Sequence, residues 1–212
     1  MIVTMWTQFF QIFVTVLIVI DPIGIVPLFI SATGQIPEEN RKKIILQAIK
    51  IAAVVMIIFI VAGRFLLSLL GISNGAFYLA GGAMFFLISI DMLFGQPKRA
   101  KTSQEEAPED YTSIAVFPLA IPMISGPGTI TTLIMFSSNI KSYPLSIVML
   151  LGSVIPILIL AYIAMRSSGL ILKMLGKTGV SVIERIMGLI LSGLAVQFIL
   201  EGLRKTGILI IQ

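Results

Sequence analysis

Cysteine and histidine are both absent from this 212-residue chain, tryptophan occurs once, and charged residues make up only 12% of it. Without cysteine there is no disulfide and no thiol chemistry, and the redox compartment stays open. Without histidine there is no imidazole metal ligand and no histidine-based triad, so any proton chemistry falls to carboxylates. No cofactor or metal is expected. With so little charge the chain cannot dress a water-soluble surface: apolar residues reach 57% and mean hydropathy is +1.05, the range of polytopic membrane proteins. The net charge of +5 sits in short loops beside the apolar runs, where it serves orientation, and a nucleic-acid partner is not expected.

What is present is a series of long apolar runs. A bilayer is crossed by about 20 apolar residues, and the runs predict six spans near 6–30, 44–64, 75–95, 113–137, 144–165 and 182–203. Pro37-Glu38-Glu39-Asn40, Gly95-Gln96-Pro97 and Tyr143-Pro144 supply turn chemistry at the joints. The first run is not preceded by Lys or Arg and is not followed by a small-residue cleavage site, so it is not read as a signal peptide. The long polar stretch 96–112 reads as a cytoplasmic linker between a first repeat, 1–95, and a second, 113–212.

The two repeats match weakly but in the same order. Pro22 aligns with Pro127, and Leu66–Gly71 with Ile171–Gly176, both at an offset of 105, while Gly82 aligns with Gly188 after a one-residue slip. Three spans per half is an odd number, which predicts a 3+3 inverted repeat. Lys and Arg fall ten to four between the two sides: Arg41, Lys42, Lys43, Lys98, Arg99, Lys101, Arg166, Lys173, Lys177 and Arg185 against Arg64, Lys141, Arg204 and Lys205. Positive charge stays cytoplasmic, so both termini are expected outside the cytoplasm.

Helices 1 and 4 carry the functional signal, because each is expected to break near the bilayer middle. In Asp21-Pro22-Ile23-Gly24-Ile25, proline removes an amide donor and clashes with the turn before it, so helix 1 is expected to stop near Ile20 and restart near Ile25. Ser125-Gly126-Pro127-Gly128-Thr129 does the same to helix 4, with Ser125 a candidate cap for the restart. Each restart offers N–H groups to an anion and each stop offers carbonyls to a cation. Four such ends, with the Asp21 carboxylate, suit a zwitterion such as an α-amino acid. The expected substrate-binding set is Asp21, Pro22, Gly24, Ile25, Ser125, Gly126, Pro127, Gly128 and Thr129. The plainer alternative is that proline and glycine only kink two helices. Asp21 and Asp91 lie within spans, where a charge costs about 2.5–3.5 kcal/mol at a helix centre. Asp21, Asp91 and Gln197, the counterpart of Asp91 in the second half, are the candidates for coupling or gating. Glu184 and Arg185 read as a solvated pair, and the glycines outside the breaks as helix-packing residues.

Asp21-Pro22-Ile23-Gly24-Ile25-Val26-Pro27-Leu28-Phe29, Phe117-Pro118-Leu119-Ala120-Ile121-Pro122, Ser125-Gly126-Pro127-Gly128-Thr129-Ile130, Arg166-Ser167-Ser168-Gly169 and Val196-Gln197-Phe198-Ile199 together resemble the MarC family, which includes the SnatA small neutral amino acid transporters. The resemblance covers nearly the whole chain. It implies a six-helix inner-membrane protein, not an enzyme, that carries glycine, alanine and similar amino acids with the proton gradient. In some relatives the position of Asp21 is Asn, which favours amine binding over obligatory proton carriage there. Rival readings are an exporter or channel for another small metabolite and, in a different class, an intramembrane aspartyl protease using Asp21 and Asp91. The latter lacks the Tyr-Asp and Gly-Asp contexts associated with that chemistry.

The charge imbalance makes a direct prediction about topology. A C-terminal reporter that is active only in the cytoplasm should stay silent, and an active reporter would reverse the assigned orientation.

Overall fold

Proline and glycine decide where the helices of this chain end. The structure, a computed structural model, describes residues 2–34, 36–94, 111–139 and 143–208. Helices α1 (Ile2–Ile20) and α2 (Ile25–Thr33) flank the first break, and α3 (Glu38–Leu69) and α4 (Asn74–Phe94) complete the first half. The second half holds α5 (Tyr111–Ile114), an irregular coil over Ala115–Ile124, α6 (Pro127–Asn139), α7 (Tyr143–Arg166) and α8 (Ser168–Lys205). No strand occurs among the described residues. The expected linker, 96–112, lies outside the described residues apart from its last two positions, which open α5.

Five helical stretches are long and apolar enough to cross a bilayer: Met5–Thr33, Glu38–Leu69, Asn74–Phe94, Pro144–Arg166 and Thr178–Lys205. Ala115–Ile124 with Pro127–Ser138, bent by 48°, makes a sixth if the pair is one span. The chain is therefore a multi-pass integral membrane protein. Its helices are apolar all round, as hydrocarbon requires. On α3, Ala48, Ala52, Met56, Ile60 and Leu67 are buried, while Val54, Ile57, Ile58, Val61 and Phe65 are exposed on another face.

Three elements differ from the sequence expectation, each for a local reason. Helix α3 begins at Glu38 rather than near 44, because Glu38 and Glu39 in its first turn complement the positive end of the helix dipole. Its 32 residues make it about 48 Å long, well beyond the roughly 30 Å hydrocarbon core. Helix α8 begins at Ser168 rather than near 182, but it turns at Gly176, whose φ of 65° only glycine adopts readily. Gly71, its partner at the 105-residue offset, also has φ 65°.

The largest departure is the coil before α6, where a regular helix was expected. Phe117 (φ −129°, ψ 124°) and Ile121 (φ −128°, ψ 122°) are extended. Each precedes a proline, whose Cδ drives the preceding residue out of helical conformation. Pro118 and Pro122 also lack an amide donor. The Phe117-Pro118 and Ile121-Pro122 bonds are both cis.

Helices α4 and α8 run antiparallel and pack through glycine. A Cβ on Gly82 would meet the Ala195 carbonyl at 2.8 Å, one on Gly188 the Ser89 carbonyl at 3.1 Å, and one on Gly75 the Gly202 carbonyl at 3.1 Å. Lipid tails are as apolar as leucine, so close backbone packing rather than the hydrophobic effect holds such a pair. Buried Phe198 of α8 adds ring contacts to Tyr78, Phe85 and Phe136, with centroids 5.8, 5.3 and 6.0 Å away.

Overpacking this seam should be costly. Gly82→Ala is expected to destabilise the purified protein by about 1–3 kcal/mol in thermal unfolding. Gly193→Ala, on the partner helix α8 and with nothing within 4 Å of the added carbon, should be neutral or slightly stabilising. Equal losses in the two variants would remove close packing as the reason for the glycine.

Candidate functional site

At the first break the chain turns on a residue that tolerates left-handed backbone. Asp21 has φ 48°, a conformation open to Asp and Asn at modest cost but poor for branched residues. Its amide still bonds to the Leu17 carbonyl at 2.9 Å, closing α1, and its carbonyl accepts from Ile25 N at 3.2 Å, opening α2. Pro22 has no amide, so the Ile18 carbonyl loses its helical donor. Asp21 then folds its own carboxylate back over the gap, and Oδ1 accepts the Gly24 N–H at 3.0 Å. The side chain expected at the carbonyl-rich end of α1 thus lies against the start of α2, where a negative charge complements the dipole. It is 5% exposed. Pro22, Gly24 and Ile25 are buried around it.

Gly24 is needed for that fold-back. A Cβ there would overlap the Asp21 carboxyl group, and it would stand 3.0 Å from Oε1 of Glu184. Glu184, half-buried on α8, therefore reaches the first break from the second half of the chain, while its neighbour Arg185 is exposed. The solvated Glu184–Arg185 pair expected from sequence is replaced by a carboxylate directed inward beside Asp21. Glu184 falls inside the apolar run read as the sixth span, so the criterion that picked out Asp21 and Asp91 applied to it as well.

The second break satisfies itself differently. Ser125 does not cap α6: its hydroxyl and its amide both donate back to the Ala120 carbonyl, at 2.8 and 2.9 Å. Thr129 Oγ1 donates to the Ile124 carbonyl at 2.9 Å and Thr132 Oγ1 to the Gly128 carbonyl at 2.8 Å. The Ser125 and Thr129 hydroxyls, expected at the substrate site, are thus spent on carbonyls at the bend, and that of Thr132 on a carbonyl of its own helix. Gly126 lies against the Pro122 carbonyl, with no room for a Cβ. The space beside Gly128, one of the expected substrate-binding residues, is filled as well, since a Cβ there would meet Ile88 Cδ1 at 2.8 Å and Val19 Cγ1 at 3.2 Å. Pro127 is exposed, and the first-turn amides of α6 at Gly128 and Thr129 precede that helix's own bonding pattern.

The two breaks are neighbours in space. Val19, two residues before Asp21, lies beside Gly128 in the first turn of α6, and Ile88 and Phe85 of α4 line the same glycine. Asp91 stands one turn further along α4, half-buried beside Met92, whose Cβ fills the space at Gly188. Gln197 is exposed on α8, two residues from Ala195 and so on the side of that helix facing away from α4. The geometry brings together Asp21, Pro22, Gly24, Ile25 and Glu184, with Gly128 adjacent, and leaves Gln197 apart.

Comparison with known proteins agrees with this membrane architecture. The family described as MarC family integral membrane protein matches residues 6–207. A UPF0056 membrane protein of Archaeoglobus fulgidus is 36% identical over 202 residues, covering 93% of this chain and 92% of the relative. A UPF0056 membrane protein of Methanocaldococcus jannaschii is 37% identical, covering 90% and 84%. Another from Buchnera aphidicola subsp. Schizaphis graminum is 34% identical, covering 93% and 92%. No solved structure matches.

The packing at Gly128 can be tested by removing the atom that crowds it. Gly128→Ala should cost about 1–2 kcal/mol of stability, as overpacking does. Ile88→Val in the same chain deletes Cδ1 and should recover part of that loss in a double-mutant cycle. Simple additivity of the two effects would mean that Ile88 is not what the new methyl meets.

Proposed function

The chain belongs to the MarC family of integral membrane proteins, and from that premise we propose that it is a secondary transporter of small neutral amino acids, glycine and alanine first. The proposal is of a carrier in the inner membrane, not of an enzyme, working with the proton gradient and with both termini outside the cytoplasm. Its substrate is held between the two breaks. The observation that carries the reading is the meeting of those breaks: Val19 beside Gly128, with the buried Asp21 and with Glu184 at Gly24. Interrupted helices in corresponding places of two halves are the form that substrate sites take in many secondary transporters.

The division of labour follows from the charge that each side of the site carries. Gly24 N–H is occupied by Asp21 and the Ser125 and Thr129 hydroxyls by carbonyls. The Asp21 and Glu184 carboxylates make a negative side for the substrate ammonium, and the first turn of α6 a positive one for its carboxylate. Pro22 and Ile25 bound the negative side, Gly126 and Pro127 the positive one. Asp91 has a place near the α4–α8 seam from which it could serve coupling; Gln197 faces elsewhere.

The 3+3 inverted repeat belongs to the same proposal. Two features support it. Gly82 packs on Ala195 while Gly188 packs on Ser89, a reciprocal pair related by the same offset of 106 that aligns Gly82 with Gly188. Gly71 and Gly176 share a left-handed φ at the 105-residue offset. An exporter or channel for another small metabolite would use the same architecture. An aspartyl protease would need Asp91 at the Asp21 carboxylate, where Glu184 stands instead.

Asp21→Asn tests the amine site. Asn tolerates left-handed backbone and its amide oxygen can still accept from Gly24, so the fold is kept while the charge is removed. Glycine affinity should fall by about 1.5–3 kcal/mol, the weight of a charged hydrogen bond. Unchanged affinity in the folded variant would take Asp21 out of the amine site, and glycine counterflow with and without a pH gradient tests the coupling.

A further inference from the structure

Glu38 and Arg166 form an ion pair across the two halves of the chain, Nη1 to Oε1 at 3.2 Å. Their places follow from helix chemistry, since Glu38 stands in the first turn of α3 and Arg166 in the last turn of α7, each where its own helix dipole favours that charge. The Glu38 corner is held from the other side by Arg41, whose Nε and Nη2 donate to the Ile36 and Gly34 carbonyls at 2.8 and 2.9 Å. That corner continues directly into α2, the second piece of the broken helix. Beyond the ion pair, α7 passes through Ser167 into α8, which carries Glu184. The pair therefore ties together the two chain segments that lead to the first break.

Two of the helix pairs between the halves are held in different ways. Between α4 and α8, backbone carbonyls lie against glycine at Gly75, Gly82 and Gly188, so parting them means separating close-packed backbone at three levels. Helices α3 and α7 pack against each other and are also linked at one end by this ion pair, with side chains 72% and 40% exposed. An exposed pair is weak, screened by salt and readily broken and re-formed. Those are the properties of a reversible closure rather than of a structural staple.

We infer that Glu38–Arg166 is a latch, closing the face of the molecule at which α2 and α7 end and keeping the first break sealed from that side. The inference rests on the transport reading, in which the two faces open in turn around one site.

The absence of cysteine makes the test clean. Thr33→Cys places a single thiol at a fully buried position in the last turn of α2, between the break and the latch. In the full chain in lipid nanodiscs at low salt, its rate of labelling by a water-soluble maleimide is slow in the latched state. Glu38→Gln and Arg166→Gln should each raise that rate by about two- to fivefold, the range open to an exposed ion pair. The charge swap Glu38→Arg with Arg166→Glu should bring it back. High salt should raise the rate in the parent and add nothing to Glu38→Gln. Glu39→Gln, removing the neighbouring charge, should leave it unchanged. Rates indifferent to both single variants, an unrestored rate in the swap, or an equal rise with Glu39→Gln would each overturn the latch. Glycine binding measured on the same samples reports separately on the transport reading, since labelling needs no substrate.

Discussion

A peptide group released from a helix inside hydrocarbon has no water to turn to, and leaving it unpaired costs several kcal/mol. That constraint organises both breaks. Pro22, Pro118 and Pro122 cannot donate, and Pro127 begins a new helix, so carbonyls and amides are released at defined positions. The chain answers with its own polar side chains: the Asp21 carboxylate on Gly24 N–H, the Ser125 hydroxyl on Ala120, and the Thr129 hydroxyl on Ile124. Much of the polarity at the centre of the molecule is therefore structural before it is functional. A ligand meets only what those contacts leave over.

The same constraint explains the contrast between carboxylates and hydroxyls at the site. A hydroxyl gives its one proton to a nearby carbonyl and is then largely satisfied. An ionised carboxylate has room for several donors, so Asp21 can serve the Gly24 amide and still present negative charge. Glu184 adds a second carboxylate from the opposite half. The chain has concentrated this charge beside the break, and the cost of holding it away from water is one that membrane proteins bear chiefly where ions or charged substrates bind.

Around that centre the helix pairs are held in different ways. Glycine lets α4 and α8 approach along their length, and in lipid such dispersion contacts supply much of the association energy. Phe198 anchors three further rings in the same region. Helices α3 and α7 pack together and are also joined by the exposed Glu38–Arg166 pair at the start of α3, a helix longer than a bilayer core requires. Close backbone packing on one side and a screened ion pair on the other would give the proposed carrier a hinge and an edge.

Apolar run length, proline and glycine were enough, from sequence alone, to determine the all-helical membrane class, the ends of α1 and α2 around Asp21 and the start of α6 at Pro127. These are local effects: a missing amide or an apolar stretch acts on its own few residues wherever the chain goes. The extended residues Phe117 and Ile121 were legible by the same rule, since each precedes a proline, but a long apolar run was read there as plain helix. Tertiary structure decided the rest. Whether Ser125 caps the helix ahead of it or bonds the carbonyl behind it depends on how the whole coil bends. Whether Gly128 opens a pocket or seats Ile88 and Val19 depends on which helices arrive beside it. Glu184 joins Asp21 because α8 passes the break with that residue facing inward, and no spacing in the chain states that two carboxylates 163 positions apart share one glycine. Proline and glycine act within their own turn of helix, whereas the site is made by close approach between helices, and close approach is a property of the packed molecule alone.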